Sequence, residues 1–245
     1  MRPIMRGASP RLDDFDDYRK ALPFLVSRLG GYCSYCERRI ATNLAVEHIQ
    51  PKGLALTAHL IGSWSNYLLA CVNCNSTKAS KAVALANTLL PDRDNTFIAF
   101  AYLPDGRIEP SAAAIAAGLG AVATTTLELT GLDKAISMAV DENGKQVAYD
   151  RVAQRLEVWA VAEEARTDID NNPGLQALRR ATIRTALGYG HFSIWMTVFE
   201  EDAVMRNLLI DAFNGTRNSG CFDSVTTLPL SPSPNLDNLP NGGKI

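Results

Sequence analysis

Four of the five cysteines stand in two closely spaced pairs, and their spacing is typical of a metal site. Cys33 and Cys36 form one C-x2-C pair, and Cys71 and Cys74 form the second pair after 34 intervening residues. A two-residue spacer lets both thiolates of a pair turn toward one ion, and four thiolates leave no open position for water. The pattern therefore predicts a closed, structural Zn²⁺ site. The alternative is two pairs of buried or redox-active cysteines, although a redox pair needs only one C-x-x-C.

A second group of polar residues lies between these cysteine pairs and just after them. Glu47 and His48 are adjacent and lie between the two cysteine pairs. Asn66 precedes the second pair, and Asn75 and Lys78 follow it. An isolated Glu-His pair most often lies on the surface without a function, so the prediction of a site depends on the order of the whole set.

This ordered set, C-x2-C, E-H, N-x-L-x-A-C and C-N-x-x-K, resembles the zinc-stapled branch of the HNH endonuclease family. The resemblance implies an α+β fold in which a small finger of two strands and one helix, the ββα-metal finger, grips a catalytic ion. In this chain the finger would carry the structural zinc and be embedded in a mostly α-helical protein.

The resemblance also implies a role for each polar residue. His48 matches the general base, and Glu47 and Asn75 match ligands of a catalytic divalent metal. Asn66 matches the asparagine that ties the loop together and helps orient the histidine. Two positions depart from the commoner pattern, since Glu47 stands where Asp is usual and Asn75 where some members have His. In this interpretation, the longer side chain of Glu47 shifts the position of the metal ion or binds the ion through a water molecule.

The chemistry of phosphodiester hydrolysis explains why these residue types are needed. Attack by water adds negative charge, which a hard cation stabilises, while a neutral imidazole accepts a proton from the water. Mg²⁺ or Mn²⁺ suits such a sparse set of oxygen ligands, because both ions keep water and substrate oxygens as their remaining ligands.

Charge is distributed unevenly along the chain. The formal net charge is −2 and the isoelectric point is about 5.9, which gives no global sign of a nucleic-acid partner. The segment 31–81 nevertheless contains five basic and two acidic residues, so it carries +3 and the remainder −5. Its basic residues are the predicted nucleic-acid contacts: Lys78, Lys81, Lys52, Arg38 and Arg39. For Lys78, a solvated position on a helix is an equally weighted alternative.

The surrounding elements follow from periodicity and turn residues. Apolar residues three or four apart predict a helix from Leu12 to Leu29, kinked at Pro23. The predicted organisation is an N-terminal helix (1–30), an HNH core (31–90), a hairpin connector (91–110), a helical domain (111–223) and an extended or disordered tail (224–245). No apolar stretch is long enough for a membrane span and no secretory signal is present, so we expect a cytoplasmic protein.

These features leave more than one function open. The leading hypothesis is a DNA endonuclease, and the alternatives are a non-catalytic zinc module that binds nucleic acid or protein and a ribonuclease or nicking enzyme with the same site. The overall layout also resembles, more weakly, stand-alone bacterial HNH nucleases of anti-phage systems such as the Septu-type nuclease subunit. That resemblance implies an ATPase partner, and a homodimer that cuts both strands is a further expectation.

Overall fold

The computed structural model of the protein describes residues 1–135, 137–144, 146–148 and 150–245. The α-helices in this part of the chain are α1 Leu22–Leu29, α2 Val72–Lys78, α3 Thr96–Ala99, α4 Ala112–Ala116, α5 Gly120–Thr130, α6 Arg151–Asn171, α7 Gln176–Tyr189, α8 Phe192–Val198 and α9 Ala203–Ala212. The strands are β1 Ala45–His48, β2 Tyr67–Ala70, β3 Phe100–Tyr102, β4 Ile108–Pro110, β5 Met138–Val140 and β6 Gln146–Ala148. None of the described helices is both long and apolar enough to cross a membrane.

Strands β1 and β2 and helix α2 form the two-strand-plus-helix unit that the sequence predicts. The strands are antiparallel, with Glu47 opposite Leu68 and His48 opposite Tyr67. All four residues of β2 are buried, and only Cys71 separates the end of the strand from the start of α2. Small two-stranded sheets set among many helices confirm the α+β fold class.

The N-terminal helix is shorter than predicted. The chain forms a 3-10 helix at Tyr18–Ala21, and α1 starts only at Leu22. Pro23 therefore lies in the first turn of α1 and does not kink a longer helix. A proline is tolerated there because the first N–H groups of a helix have no intrahelical acceptor. Gly30, with φ +76°, ends the helix.

The predicted hairpin after residue 91 is present, with β3 antiparallel to β4. Within the predicted connector, Thr96–Ala99 form the helical turn α3, which comes directly before β3. The segment predicted as a helical domain, 111–223, also contains a second hairpin, in which β5 pairs with β6. Positions 136, 145 and 149 of the predicted helical domain lie outside the described residues.

The last segment, 224–245, packs against the rest of the chain, which differs from the predicted extended or disordered tail. Ile245 is buried, and its carbonyl accepts hydrogen bonds from the backbone N–H groups of Asn95 and Ser233 at 3.0 and 2.8 Å. The side chain of Arg93 donates to the Pro240 carbonyl, and Lys244 forms an ion pair with Asp94 at 3.0 Å. Polar composition alone could not reveal these partners, because they come from a buried segment about 150 residues earlier.

Candidate zinc site and catalytic cleft

The four paired cysteines converge on one point. All four are buried and free, and their Sγ atoms lie within 4.8 Å of one another. The Sγ atoms of Cys36 and Cys71 are 3.7 Å apart. A tetrahedral Zn²⁺ with Zn–S bonds of about 2.3 Å requires sulfurs about 3.8 Å apart, so the cluster fits a structural zinc.

Local backbone geometry turns each pair toward that point. In the first pair, the N–H of Glu37 donates to the Cys33 carbonyl at 2.9 Å, and the left-handed conformation of Glu37, φ +65°, closes the turn. In the second pair, Cys71 is the N-cap of α2, and its Sγ accepts from the N–H of Cys74 at 3.4 Å. Thiolates are favoured at this position because the N-terminus of a helix carries partial positive charge.

The zinc site is also stabilised by residues that the sequence patterns did not indicate. The Glu37 carboxylate accepts hydrogen bonds from the hydroxyl and N–H of Ser193 on α8, at 2.6 and 2.8 Å, and from the Tyr102 hydroxyl at 3.0 Å. The Arg151 guanidinium donates to Cys74 Sγ at 3.1 Å. The position of Glu37 directly after Cys36 could have indicated that it lies near the zinc site. Nothing in the sequence linked Arg151 or Ser193 to the cysteines.

A cleft of about 530 Å³ opens beside the zinc site, between β1, α2 and the N-terminal 3-10 helix. Its described lining residues are Tyr18, Arg19, Leu22, Leu44, Ala45, Val46, Glu47, His48, Pro51, Lys52, Gly53, Asn75, Lys78, Ala79 and Ser80. Three of the four predicted catalytic residues, Glu47, His48 and Asn75, thus share one cavity. The fourth, Asn66, lies outside this lining.

The geometry of His48 suits a general base. Its Nε2 lies 3.0 Å from the Ile61 carbonyl, which can only accept a hydrogen bond, so Nε2 carries the proton and Nδ1 keeps the lone pair. The ring packs edge-on against Tyr18 and Tyr67, with centroid distances of 4.8 and 5.3 Å. Burial lowers the pKa of His48, which favours the neutral imidazole that proton abstraction requires.

Glu47 and Asn75 offer the oxygen ligands that a hard cation prefers. Glu47 is buried, and its Oε1 forms an ion pair with Lys78 but no well-directed hydrogen bond among the described residues. Burial raises the pKa of Glu47, and the Lys78 ammonium opposes that shift. The donor types fit one Mg²⁺ or Mn²⁺ that would keep several water or substrate ligands.

Asn66 acts on the loop between the two strands. Its Oδ1 accepts from the N–H of Gln50 at 2.8 Å, and its Nδ2 donates to the Gln50 carbonyl at 3.0 Å. The N–H of Ile49 donates to the Asn66 carbonyl at 2.8 Å. These contacts fix the chain that leaves β1 directly after His48.

Replacing Asn66 by alanine is expected to destabilise the protein by about 1–3 kcal/mol, because the N–H and carbonyl of Gln50 lose their partners inside the structure. The midpoint of thermal unfolding, followed by circular dichroism, should fall by roughly 2–12 °C for a chain of this size. Asn73→Ala, at an exposed position of α2, is the matched control and should change the midpoint little. An unchanged midpoint in Asn66→Ala would show that the loop does not depend on this side chain.

Tyr18 belongs to the cleft although it lies well before the first cysteine. Its ring packs against His48 and carries the Lys52 ammonium over its face, 3.7 Å from the centroid. Tyr18 therefore orients one predicted catalytic residue and one basic residue together.

If the cleft has the nuclease activity that the sequence predicts, Tyr18→Ala should slow cleavage about two- to tenfold, the rate equivalent of one lost aromatic contact. Tyr18→Phe retains the ring and should keep nearly the full rate. Single-turnover cleavage rates of the two variants decide the point, and equal losses in both would mean that the hydroxyl matters and the packing does not.

The five predicted nucleic-acid contacts lie in different environments in the structure. Lys52 lines the cleft and is exposed, and Lys81 is exposed just beyond the end of α2. Lys78 is buried, so neither the predicted phosphate contact nor the alternative of a solvated helix position describes it. Arg38 and Arg39 line another cavity, of about 390 Å³.

Comparison with known proteins agrees with this geometry. Residues 33–81 match the family model described as HNH endonuclease, so the chain contains an HNH endonuclease domain. The match spans about one fifth of the chain and includes both cysteine pairs and the residues Glu47, His48, Asn66 and Asn75. No curated protein matches the chain. A domain of this family supports a nuclease function and implies a nucleic-acid substrate.

Proposed function

We propose that the protein is a metal-dependent endonuclease that hydrolyses phosphodiester bonds in DNA. The observation that carries the proposal is the shared cleft, in which Glu47, His48 and Asn75 face the same space beside a buried four-cysteine cluster. A module that only binds nucleic acid has no need of a proton acceptor and cation ligands in one cavity.

In this mechanism, Nδ1 of His48 accepts a proton from the attacking water, while the Ile61 carbonyl holds the opposite nitrogen and fixes the ring. Glu47 and Asn75 would hold the divalent ion through oxygen atoms. The bound ion would offset the negative charge that develops on the phosphate and on the leaving oxygen. Lys52 at the cleft and exposed Lys81 beyond α2 would contact neighbouring phosphates, and Arg38 and Arg39 would contact nucleic acid only on a second surface.

The test is cleavage of supercoiled plasmid and of a folded RNA by the zinc-loaded protein, in Mg²⁺, in Mn²⁺ and in chelator. Metal-dependent nicking or linearisation of the plasmid is the expected result. Cleavage confined to RNA would replace the proposal with the ribonuclease alternative. No cleavage of either substrate by folded, zinc-loaded protein would favour the non-catalytic module.

We further propose a cytoplasmic role in bacterial anti-phage defence, with an ATPase partner and with a second copy that cuts the opposite strand. The weaker resemblance to Septu-type nuclease subunits supports the partner, and five free cysteines among the described residues suit a reducing compartment. Light scattering of the purified protein, alone and with a candidate ATPase partner, should give a dimer and a larger complex. A monomer that does not associate with the ATPase would contradict both assignments.

A further inference from the structure

Lys78 is a buried cation at the base of the cleft. Its side chain is 2% exposed, and its Nζ lies 2.7 Å from Oε1 of Glu47. The same nitrogen donates a hydrogen bond of 2.7 Å to the His48 carbonyl. A buried ammonium is tolerated only when it is paired in this way, so Lys78 is the internal counter-ion of Glu47.

The positive net charge of the cleft disfavours binding of a divalent metal ion in addition to the Lys78 ammonium. Among its described lining residues, Glu47 is the single carboxylate, while Arg19, Lys52 and Lys78 are basic. Arg19 is paired with Asp17 at 2.9 Å, so the lining and this carboxylate together carry a net charge of +1 with neutral His48. A divalent ion that enters alone meets this repulsion and must share the one carboxylate that Lys78 already neutralises. A phosphodiester in the cleft would supply the missing negative charge and further oxygen ligands.

We propose that the catalytic divalent ion and the nucleic-acid phosphate bind interdependently, with Lys78 as the residue that keeps the affinity of the free protein for the ion low. This inference rests on the proposed nuclease function and adds how binding of the metal ion depends on binding of the nucleic acid. Because coupling between two ligands is reciprocal, nucleic acid raises the affinity for the ion by the same factor as the ion raises the affinity for nucleic acid. The metal-loaded site then forms only where there is a strand to cut.

The experiment measures Mn²⁺ binding to the zinc-loaded protein by electron paramagnetic resonance of the free ion. Titrations are made with and without a short DNA duplex, and Mn²⁺ bound by the duplex alone is subtracted. We expect the duplex to tighten Mn²⁺ binding to the wild-type protein by at least about tenfold, within the usual range of coupling between sites. This comparison requires no variant, so it remains decisive if a substitution at Lys78 prevents folding.

Lys78→Gln removes the charge and keeps a donor for the His48 carbonyl. It should bind Mn²⁺ at least about tenfold more tightly than wild type in the absence of DNA, with a smaller gain from the duplex. Lys20→Gln is the matched control, because Lys20 is exposed on the neighbouring 3-10 helix and does not line the cleft, and it should leave the affinity without DNA unchanged.

Two other outcomes are distinct from each other. If wild type binds Mn²⁺ equally well with and without DNA, and folded Lys78→Gln binds no more tightly, the coupling is overturned while the nuclease proposal stands. If no Mn²⁺ binds under any condition, the metal site itself is wrong, and the proposed function fails together with the inference.

Discussion

Replacing His48 by alanine is expected to slow cleavage by about 10²- to 10⁴-fold, the range that a positioned general base contributes. The physical reason is that no other described lining residue of the cleft is a histidine, so no neutral imidazole remains to accept the proton. The measurement is the single-turnover rate of cleavage with saturating Mg²⁺ and protein in excess over substrate.

His59→Ala is the matched control for this experiment. His59 is exposed on a short 3-10 helix in the loop between β1 and β2 and does not line the cleft, so its removal should leave the rate nearly unchanged. A His48→Ala protein that retains its zinc and fold and cuts at the wild-type rate would remove the base from the mechanism. Equal losses in the two variants would point to a general effect on the loop.

The second large effect is expected at the zinc site. Cys71→Ser should lose the bound zinc and lose about 5 kcal/mol or more of folding free energy, because a structural zinc contributes roughly 10–16 kcal/mol of apparent binding energy in isolated fingers. That loss is comparable with the whole stability of a typical domain, about 5–15 kcal/mol, so residues 33–81 should not remain folded. The measurements are zinc content by mass spectrometry and thermal unfolding.

Cys221→Ser is the matched control for the zinc experiment. Cys221 is also buried, but its Sγ contacts the Ser219 carbonyl and the Ser233 hydroxyl and does not belong to the four-cysteine cluster. This variant should keep one zinc per chain. A Cys71→Ser protein with an unchanged unfolding midpoint would show that the cluster does not hold the fold together.

The sequence was most informative where chemistry restricts both residue type and spacing. Two C-x2-C pairs predicted a four-cysteine cluster, and the structure brings their sulfurs together. Likewise, Glu47, His48 and Asn75 were expected at one site and line one cleft. The cysteine cluster was predictable because ligand geometry is local to short turns, whereas the catalytic roles of Glu47, His48 and Asn75 stay predictions.

The sequence was least informative where a partner lies far along the chain. The pairing of Lys78 with Glu47 depends on how α2 packs on β1, and the contact of Tyr18 with His48 depends on where the N-terminal 3-10 helix lies. The packing of residues 224–245 depends in the same way on buried Arg93 and Asp94. None of these distances follows from composition or periodicity, because both describe a residue only relative to its near neighbours.

The most direct test of the nuclease assignment is the dependence of the plasmid cleavage rate on Mg²⁺ concentration, measured for wild type and for Glu47→Gln. Glutamine keeps the size of the side chain and removes the charge that would hold the ion. We expect saturable, chelator-sensitive cleavage by wild type and a rate at least about 10²-fold lower for Glu47→Gln, because charge stabilisation in the transition state is lost. Cleavage by Glu47→Gln with the wild-type rate and the wild-type Mg²⁺ dependence would contradict the nuclease assignment.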